Sequence, residues 1–227
     1  MERPRLKAVA ERAVLVELGE RLDDAVQARV WALDRALAAD PVAGQVEVVP
    51  ALVNLLVVFD PLFTDHAAVM AGVEWRLDQL RAGPPVLGTT HEVLVCYDGD
   101  LGRDLSAVAQ RTGQSEESVI AAHLAGDYSV AMYGFSPGYA YLSGLSDVLR
   151  LPRKDSPLRG VAAGSVIVAG AQCLVTTLTM PTGWWILGRS PTRILTGDPA
   201  RPFLFGVGDR IRFRRIGLDE FRRMEAR

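Results

Sequence analysis

Residues 130–145 read VAMYGFSPGYAYLSGL, and two folds compete for them. Gly134, Ser136 and Gly138 match G-x-S-x-G, the nucleophile elbow of serine hydrolases, which holds its serine on a sharp turn between a strand and a helix. The apolar run Val130–Tyr133 could supply the strand. No helix can follow directly, because Pro137 and Gly138 punctuate the chain right after the serine. Pro137 also lacks the backbone N–H that an elbow contributes to its oxyanion hole. Elbow enzymes place their histidine after the serine, whereas His66, His91 and His123 all precede Ser136. The stretch therefore reads as a rigid loop between strands, and Ser136 is not expected to be a nucleophile.

Working outward, the chain from Ser129 onward consists of short apolar strands broken by Gly, Pro and Ser-rich turns, the signature of a β-barrel or sandwich. Just upstream, HEVLVCYD reads as a strand. It is followed by two helices, LGRDLSAVAQRTG ended by Gly113, and SEESVIAAHLAG with Ser115 as N-cap and Gly126 as C-cap. Gly83, Pro84 and Pro85 in RAGPPVLG (81–88) mark a boundary. Before it lies a strand at 13–18, an amphipathic helix with Val26, Val30, Leu33 and Leu37 at helical spacing, and two strands, QVEVVP and NLLVVFD. A second helix over 65–81 carries Val69, Val73, Leu77 and Leu80 on one side, with Trp75 opposite. The fold class is α+β, with a small α/β domain over 1–84 and, over 85–227, a β-barrel or sandwich domain with a helical hairpin insertion.

Composition narrows the function. With 227 residues, 49% of them hydrophobic, the chain has ample material for real cores, and its net charge of −2 gives no electrostatic case for nucleic acid or an acidic membrane surface. The hairpin has the look of a DNA-binding helix-turn-helix. The first turn of its second helix nevertheless carries Glu116 and Glu117, which repel phosphates. Apolar runs such as PALVNLLVVF are too short to span a bilayer, and the charged N-terminus offers no signal-peptide core, so a cytoplasmic location is expected. Cys96 and Cys173 form no disulfide framework or metal pattern, and no metal site is expected. GSVIVAGAQ has close glycines but no G-K-[ST], so it is not a P-loop.

The second region gathers His123, Tyr133, Tyr139, Tyr141, Arg153, Arg159, Gln172 and Trp184. Arginines and a glutamine suit a carboxylate, amide or phosphate, and rings with rigid turns shape a pocket. His123 has two readings. It shares the buried face of Val119 and Ile120 as a core histidine would, and it lies close enough in sequence to the rigid loop to carry a proton.

The segment HLAGDYSVAMYGFSPGYAYLSGLSDVLRLPRKDSP resembles the family of the B-type subunit of 5-oxoprolinase, also called allophanate hydrolase subunit 1. The blocks VAAGSVIVAGAQ, PTGWWILGRSP and GVGDRIRF continue the likeness in order, as do AERAVLVELGE and VVPALVNLLVVFDP in the first region. In that family the constant feature is G-F-x-P-G, so the serine match is coincidental. The resemblance implies a cyclophilin-like barrel after the small domain. It implies a hydrolase subunit acting on a small amide or lactam, with ATP shared with a second subunit. That partner would be of the allophanate hydrolase subunit 2 type, equivalent to the C-type subunit of 5-oxoprolinase, while a third component completes ring opening. The resemblance points to His123 and Gln172 as catalytic, and to Tyr133, Phe135, Pro137, Gly138, Tyr141, Arg153, Arg159 and Trp184 as substrate-binding. Leu174 departs from it, standing where many relatives have glycine. Leu158 and Ala162 depart as well, replacing a usual arginine and a usual proline. The alternative reading is a non-catalytic regulator that binds a histidine kinase or another protein.

Overall fold

The computed structural model describes residues 3–80 and 88–226. The chain divides into two compact units, Met1–Val86 and Leu87–Arg227. The expected link at 81–88 lies, apart from Gly88, outside the described residues.

The first unit is a four-stranded antiparallel sheet of order β1-β2-β4-β3, with β1 Arg5–Val9, β2 Ala13–Glu17, β3 Gln45–Pro50 and β4 Asn54–Phe59. Two helices, α1 Asp24–Ala39 and α2 His66–Gln79, bury Val30, Leu33, Leu37, Val69 and Val73 against Val14, Val16, Leu55, Val57 and Phe59. Both helices start on an aspartate whose carboxylate accepts a first-turn N–H, Asp23 from Val26 and Asp65 from Ala68. Trp75 is exposed, opposite the buried face. Strand β1 has no counterpart in the sequence reading. It is an edge strand with little burial, and the alternation in RLKA is too short to set it apart from a loop.

The second unit is built on a seven-stranded sheet of order β12-β9-β10-β7-β6-β13-β5. Its strands are β5 Thr90–Val95, β6 Tyr128–Tyr133, β7 Ala140–Ser143, β9 Ser165–Ala169, β10 Gln172–Val175, β12 Trp185–Arg189 and β13 Arg210–Arg215. All pairings are antiparallel except that of β13 with β5. The two edges meet where the Cys96 N–H donates to the Arg189 carbonyl at 2.9 Å and the Arg189 N–H donates back at 2.8 Å, closing the sheet into the expected barrel. Two helices, α3 Leu105–Thr112 and α4 Glu116–Leu124, form the hairpin. Leu105, Val108, Val119 and Ile120 join the same core as Val93, Val130, Leu142, Val168 and Leu187. A short helix, α5 Leu218–Glu225, completes the unit.

Gly113 ends α3 in the left-handed conformation, as expected, but Gly126 does not cap α4 in that way. Its φ is ordinary. A Cβ there would sit 2.4 Å from the Tyr128 ring, so the glycine clears space for that ring as the ring packs beside His123.

Period-two alternation gives the barrel wall two buried faces, which is why β9 reads SVIVA with every residue buried. Val166, Val168, Cys173, Val175, Trp185 and Leu187 face the interior. Ile167, Ala169, Leu174 and Ile186 face outward with Tyr139 and Trp184. The outward cluster is covered by a two-stranded ribbon, β8 Leu158–Val161 with β11 Met180–Thr182, through Leu158, Val161 and Met180.

Candidate functional site

The outward face carries a cleft of about 130 Å³ beside the ribbon. Its floor is Ile167 and Leu174, its walls are Tyr139, Tyr141 and Trp184, and Phe135 and Arg153 stand at its edge. Local structure positions each. Tyr139 and Tyr141 are two residues apart at β7 and so share a face, while Ala140 and Leu142 turn inward. The loop before them is held by the Gly134 N–H to Tyr139 carbonyl bond at 3.3 Å and the Tyr139 N–H to Ser136 carbonyl bond at 3.0 Å. Phe135 adopts φ +69°, a left-handed conformation costing a non-glycine residue about 1–2 kcal/mol. Its ring is 79% exposed and lies 5.6 Å from that of Tyr139. Strain held on an exposed aromatic at a cleft mouth marks a place shaped for something other than stability.

Trp184 is fixed from several sides. Its N–H donates to the Thr182 hydroxyl at 3.1 Å, and the Tyr141 ring meets it edge-on at 5.9 Å. The Arg153 guanidinium lies over its face at 5.7 Å. The segment carrying Arg153 is stapled on both sides. The Trp185 indole N–H donates to the Pro152 carbonyl at 2.8 Å, the Lys154 N–H donates to the Gly183 carbonyl at 2.7 Å, and the Lys154 ammonium pairs with Asp104. Asp104 also accepts from the Ile186 N–H at 2.8 Å, tying α3 to β12.

Among the described residues, two buried polar atoms on this face have no hydrogen-bond partner, the Tyr139 hydroxyl and the Gln172 Nε2. Buried polar groups in native proteins are almost always paired, so an orphan signals a ligand, a water or stored strain. Gln172 lies two residues from Leu174 on β10 and therefore on the same strand face. Burial, and secondarily the Tyr141 phenol, push the Tyr139 hydroxyl up to about 12, so it remains a neutral donor near neutral pH.

Of the residues expected to serve the site, Phe135, Tyr141, Arg153 and Trp184 come together at this cleft. Tyr133 is elsewhere, stacked on Phe203 with its hydroxyl donating to the Phe205 carbonyl at 2.8 Å. The Pro137 carbonyl accepts from the Thr177 hydroxyl at 2.6 Å, and Gly138 packs against Leu195 and Thr177. Arg159 is exposed on the covering ribbon. His123 is completely buried in the barrel interior. Its Nδ1 hydrogen-bonds the Tyr97 hydroxyl at 2.7 Å, its Nε2 lies 3.5 Å from the Cys173 sulfur, and its ring centroid is 4.5 Å from that of Phe213. Burial pushes its pKa down to about 3, so it is a neutral imidazole, and this geometry favours the core-histidine reading. Tyr139 belongs to the cluster that the sequence singles out but not to the substrate-binding set implied by the resemblance, although the alternation Tyr139-Ala140-Tyr141 already places it on the face of Tyr141.

Among the described residues, Ser136 has no histidine partner. The hydrogen bonds of His123 go to Tyr97 and Cys173, and the His91 Nε2 pairs with Asp209 at 2.7 Å. The Ser136 N–H is itself used by the Gly134 carbonyl at 2.8 Å. Ser136→Ala is therefore expected to leave any hydrolytic turnover within a few-fold of wild type. A loss of several orders of magnitude in kcat would restore the elbow.

Residues 4–205 match the family model described as carboxyltransferase domain, subdomain C and D. This chain belongs to that family. It is 31% identical to the B-type subunit of 5-oxoprolinase from Bacillus subtilis (strain 168) over 229 residues, covering 96% of this chain and 95% of that one. It is 34% identical to the corresponding B-type subunit from Escherichia coli O157:H7 over 216 residues, covering 94% and 96%. Among solved structures, TTHA0988 superposes with a TM-score of 0.78 at 34% identity over 90% of this chain, which spans 40% of that longer one. The urea amidolyase of K. lactis gives a TM-score of 0.78 at 16% identity over 96% of this chain and 15% of its own, a likeness of fold alone. Among the described residues, no helix is long and apolar enough to cross a membrane.

Proposed function

We propose that this chain is one subunit of an ATP-dependent hydrolase of small amides or lactams, of the 5-oxoprolinase type, working with a second subunit. The near-full-length likeness to the B-type subunit of 5-oxoprolinase, at 31% identity across 96% of the chain, carries this reading. The cleft supports it, offering one cation, one free neutral donor and apolar walls, which suit a small carboxylate-bearing amide. Its volume equals roughly four waters at ~30 Å³ each. A nucleotide is too large for that space, so in this reading ATP binds at a site completed by the partner.

The test is co-expression with the second subunit. The pair is expected to co-elute, burying at least ~1,000 Å² in total. With the third component added, it should hydrolyse ATP in a manner dependent on 5-oxoproline, and each protein alone should show little activity. Separate elution at micromolar concentration, with this chain alone turning over substrate, would overturn the subunit assignment.

A further inference from the structure

We propose that the cleft beside the β8–β11 ribbon is the substrate's own site, taking a cyclic amide with a carboxylate: Tyr139 donates to the amide carbonyl and Arg153 pairs with the carboxylate. This rests on the hydrolase reading above.

Four observations carry it. Tyr139 is 3% exposed and lines the cleft, and among the described residues its solvent-shielded hydroxyl has no partner, so it is a desolvated donor for an incoming acceptor. Arg153 has no carboxylate partner among the described residues. It is held over the Trp184 face, where a ring quadrupole orients a cation without neutralising it. Among the described residues, no acidic side chain lines the cleft, so its field selects against ammonium-bearing ligands and for anions. Most of the remaining surface, including Ile167, Leu174, Pro181, Trp184 and the ring of Tyr141, is apolar and matches the methylene edge of a small ring. Leu174 limits the depth, since a glycine there would open the floor, and the cleft accordingly suits a compact ring over an extended chain.

A neutral phenol is the right donor for this task. It polarises an amide carbonyl without surrendering a proton, and Tyr139 stays protonated far above neutral pH because it is buried. The rim is already rigid through the Thr182, Gly183 and Pro152 hydrogen bonds, so little ordering is required when the ligand arrives.

The experiment uses Tyr139→Phe and Arg153→Met, in the full chain and in the assembled enzyme. Tyr139→Phe removes the unpaired hydroxyl, so the ligand-free chain should melt no lower than wild type. KM for 5-oxoproline should rise about 5- to 10-fold, as loss of one good hydrogen bond requires. Arg153→Met should raise KM at least as much, with the melting temperature unchanged. A merely structural role for Tyr139 would lower the melting temperature instead. If the assembled enzyme hydrolyses 5-oxoproline and both variants keep KM within twofold, the cleft is not the substrate's site, and the functional reading survives without it. If the assembly shows no such hydrolysis, calorimetric titration of the full chain decides. Binding of 5-oxoproline, but not of 2-pyrrolidone or cyclopentanecarboxylate, and its loss in Arg153→Met, upholds the site. Equal binding of all three, or none, overturns it.

Discussion

Replacing His123 by alanine is expected to destabilise the protein by about 3–5 kcal/mol, a large part of the ~5–15 kcal/mol that holds a typical domain folded. Two effects add. A cavity opens among Tyr97, Tyr128 and Phe213, whose rings surround the imidazole. The Tyr97 hydroxyl also loses its partner while remaining buried, which by itself costs about 1–3 kcal/mol. Denaturant unfolding of the variant checks this. A catalytic histidine would show the reverse pattern, with turnover lost and the unfolding midpoint unmoved.

The same residue sets a pH dependence in the wild-type protein, which can be read even if the variant does not fold. In the unfolded chain the imidazole takes up a proton near its ordinary value of 6.5, whereas in the fold burial delays this to about 3. Between those values the unfolded state binds more protons, so stability falls as pH falls and is fully present only above about 6.5. From pH 7 to pH 5 this one group removes about 2 kcal/mol. Unfolding midpoints measured at both pH values should show the loss, and a flat profile would mean that water reaches the ring.

Gly144→Ala is expected to cost a similar amount, about 3–5 kcal/mol, lowering the melting temperature by roughly 10 °C. Gly144 follows β7 with φ +94°. A Cβ there would meet the Asp127 carbonyl oxygen at 2.1 Å, the Asp127 carbonyl carbon at 2.6 Å and the Tyr128 Cα at 3.1 Å, all of them backbone. Nothing can swing aside, so β6 and β7 must separate, and β7 is the strand that holds Tyr141 at the cleft. Gly160→Ala is the control. Gly160 also has positive φ, +65°, but has no atom within 4 Å of the added Cβ, so only the conformational cost of about 1–2 kcal/mol applies. If the two variants melt together, the clash is being absorbed and the junction is softer than its geometry implies.

Much of this architecture is legible in local sequence because local forces produce it. Asp23, Asp65 and Ser115 cap helices through their own side chains, and Gly113 ends one through its own φ. The apolar β-branched run in AVLVE and the rejection of an elbow at Pro137 likewise need only neighbours along the chain. Strand β1 escapes because it is a five-residue, almost wholly exposed edge whose alternation is too short to stand out, and Gly126 misleads because its reason is a ring two residues on, not a turn.

The site divides the same way. Phe135, Tyr141, Arg153 and Trp184 are nameable as residue types suited to a small polar ligand, but their union in one cleft depends on β7, β11 and the 150–157 segment meeting on one face of the barrel. Composition and periodicity by themselves determined an α+β chain with a helix–sheet unit, a β-rich barrel or sandwich and an aromatic-rich rigid loop, since those follow from short-range patterns, whereas closure into a barrel needs Cys96 to meet Arg189. Tertiary structure alone decided that His123 lies in the interior and Tyr139 faces the cleft. Both are polar residues on short elements, and only the packing of distant strands settles which one is sealed against Tyr97 and which is left with an unanswered hydroxyl.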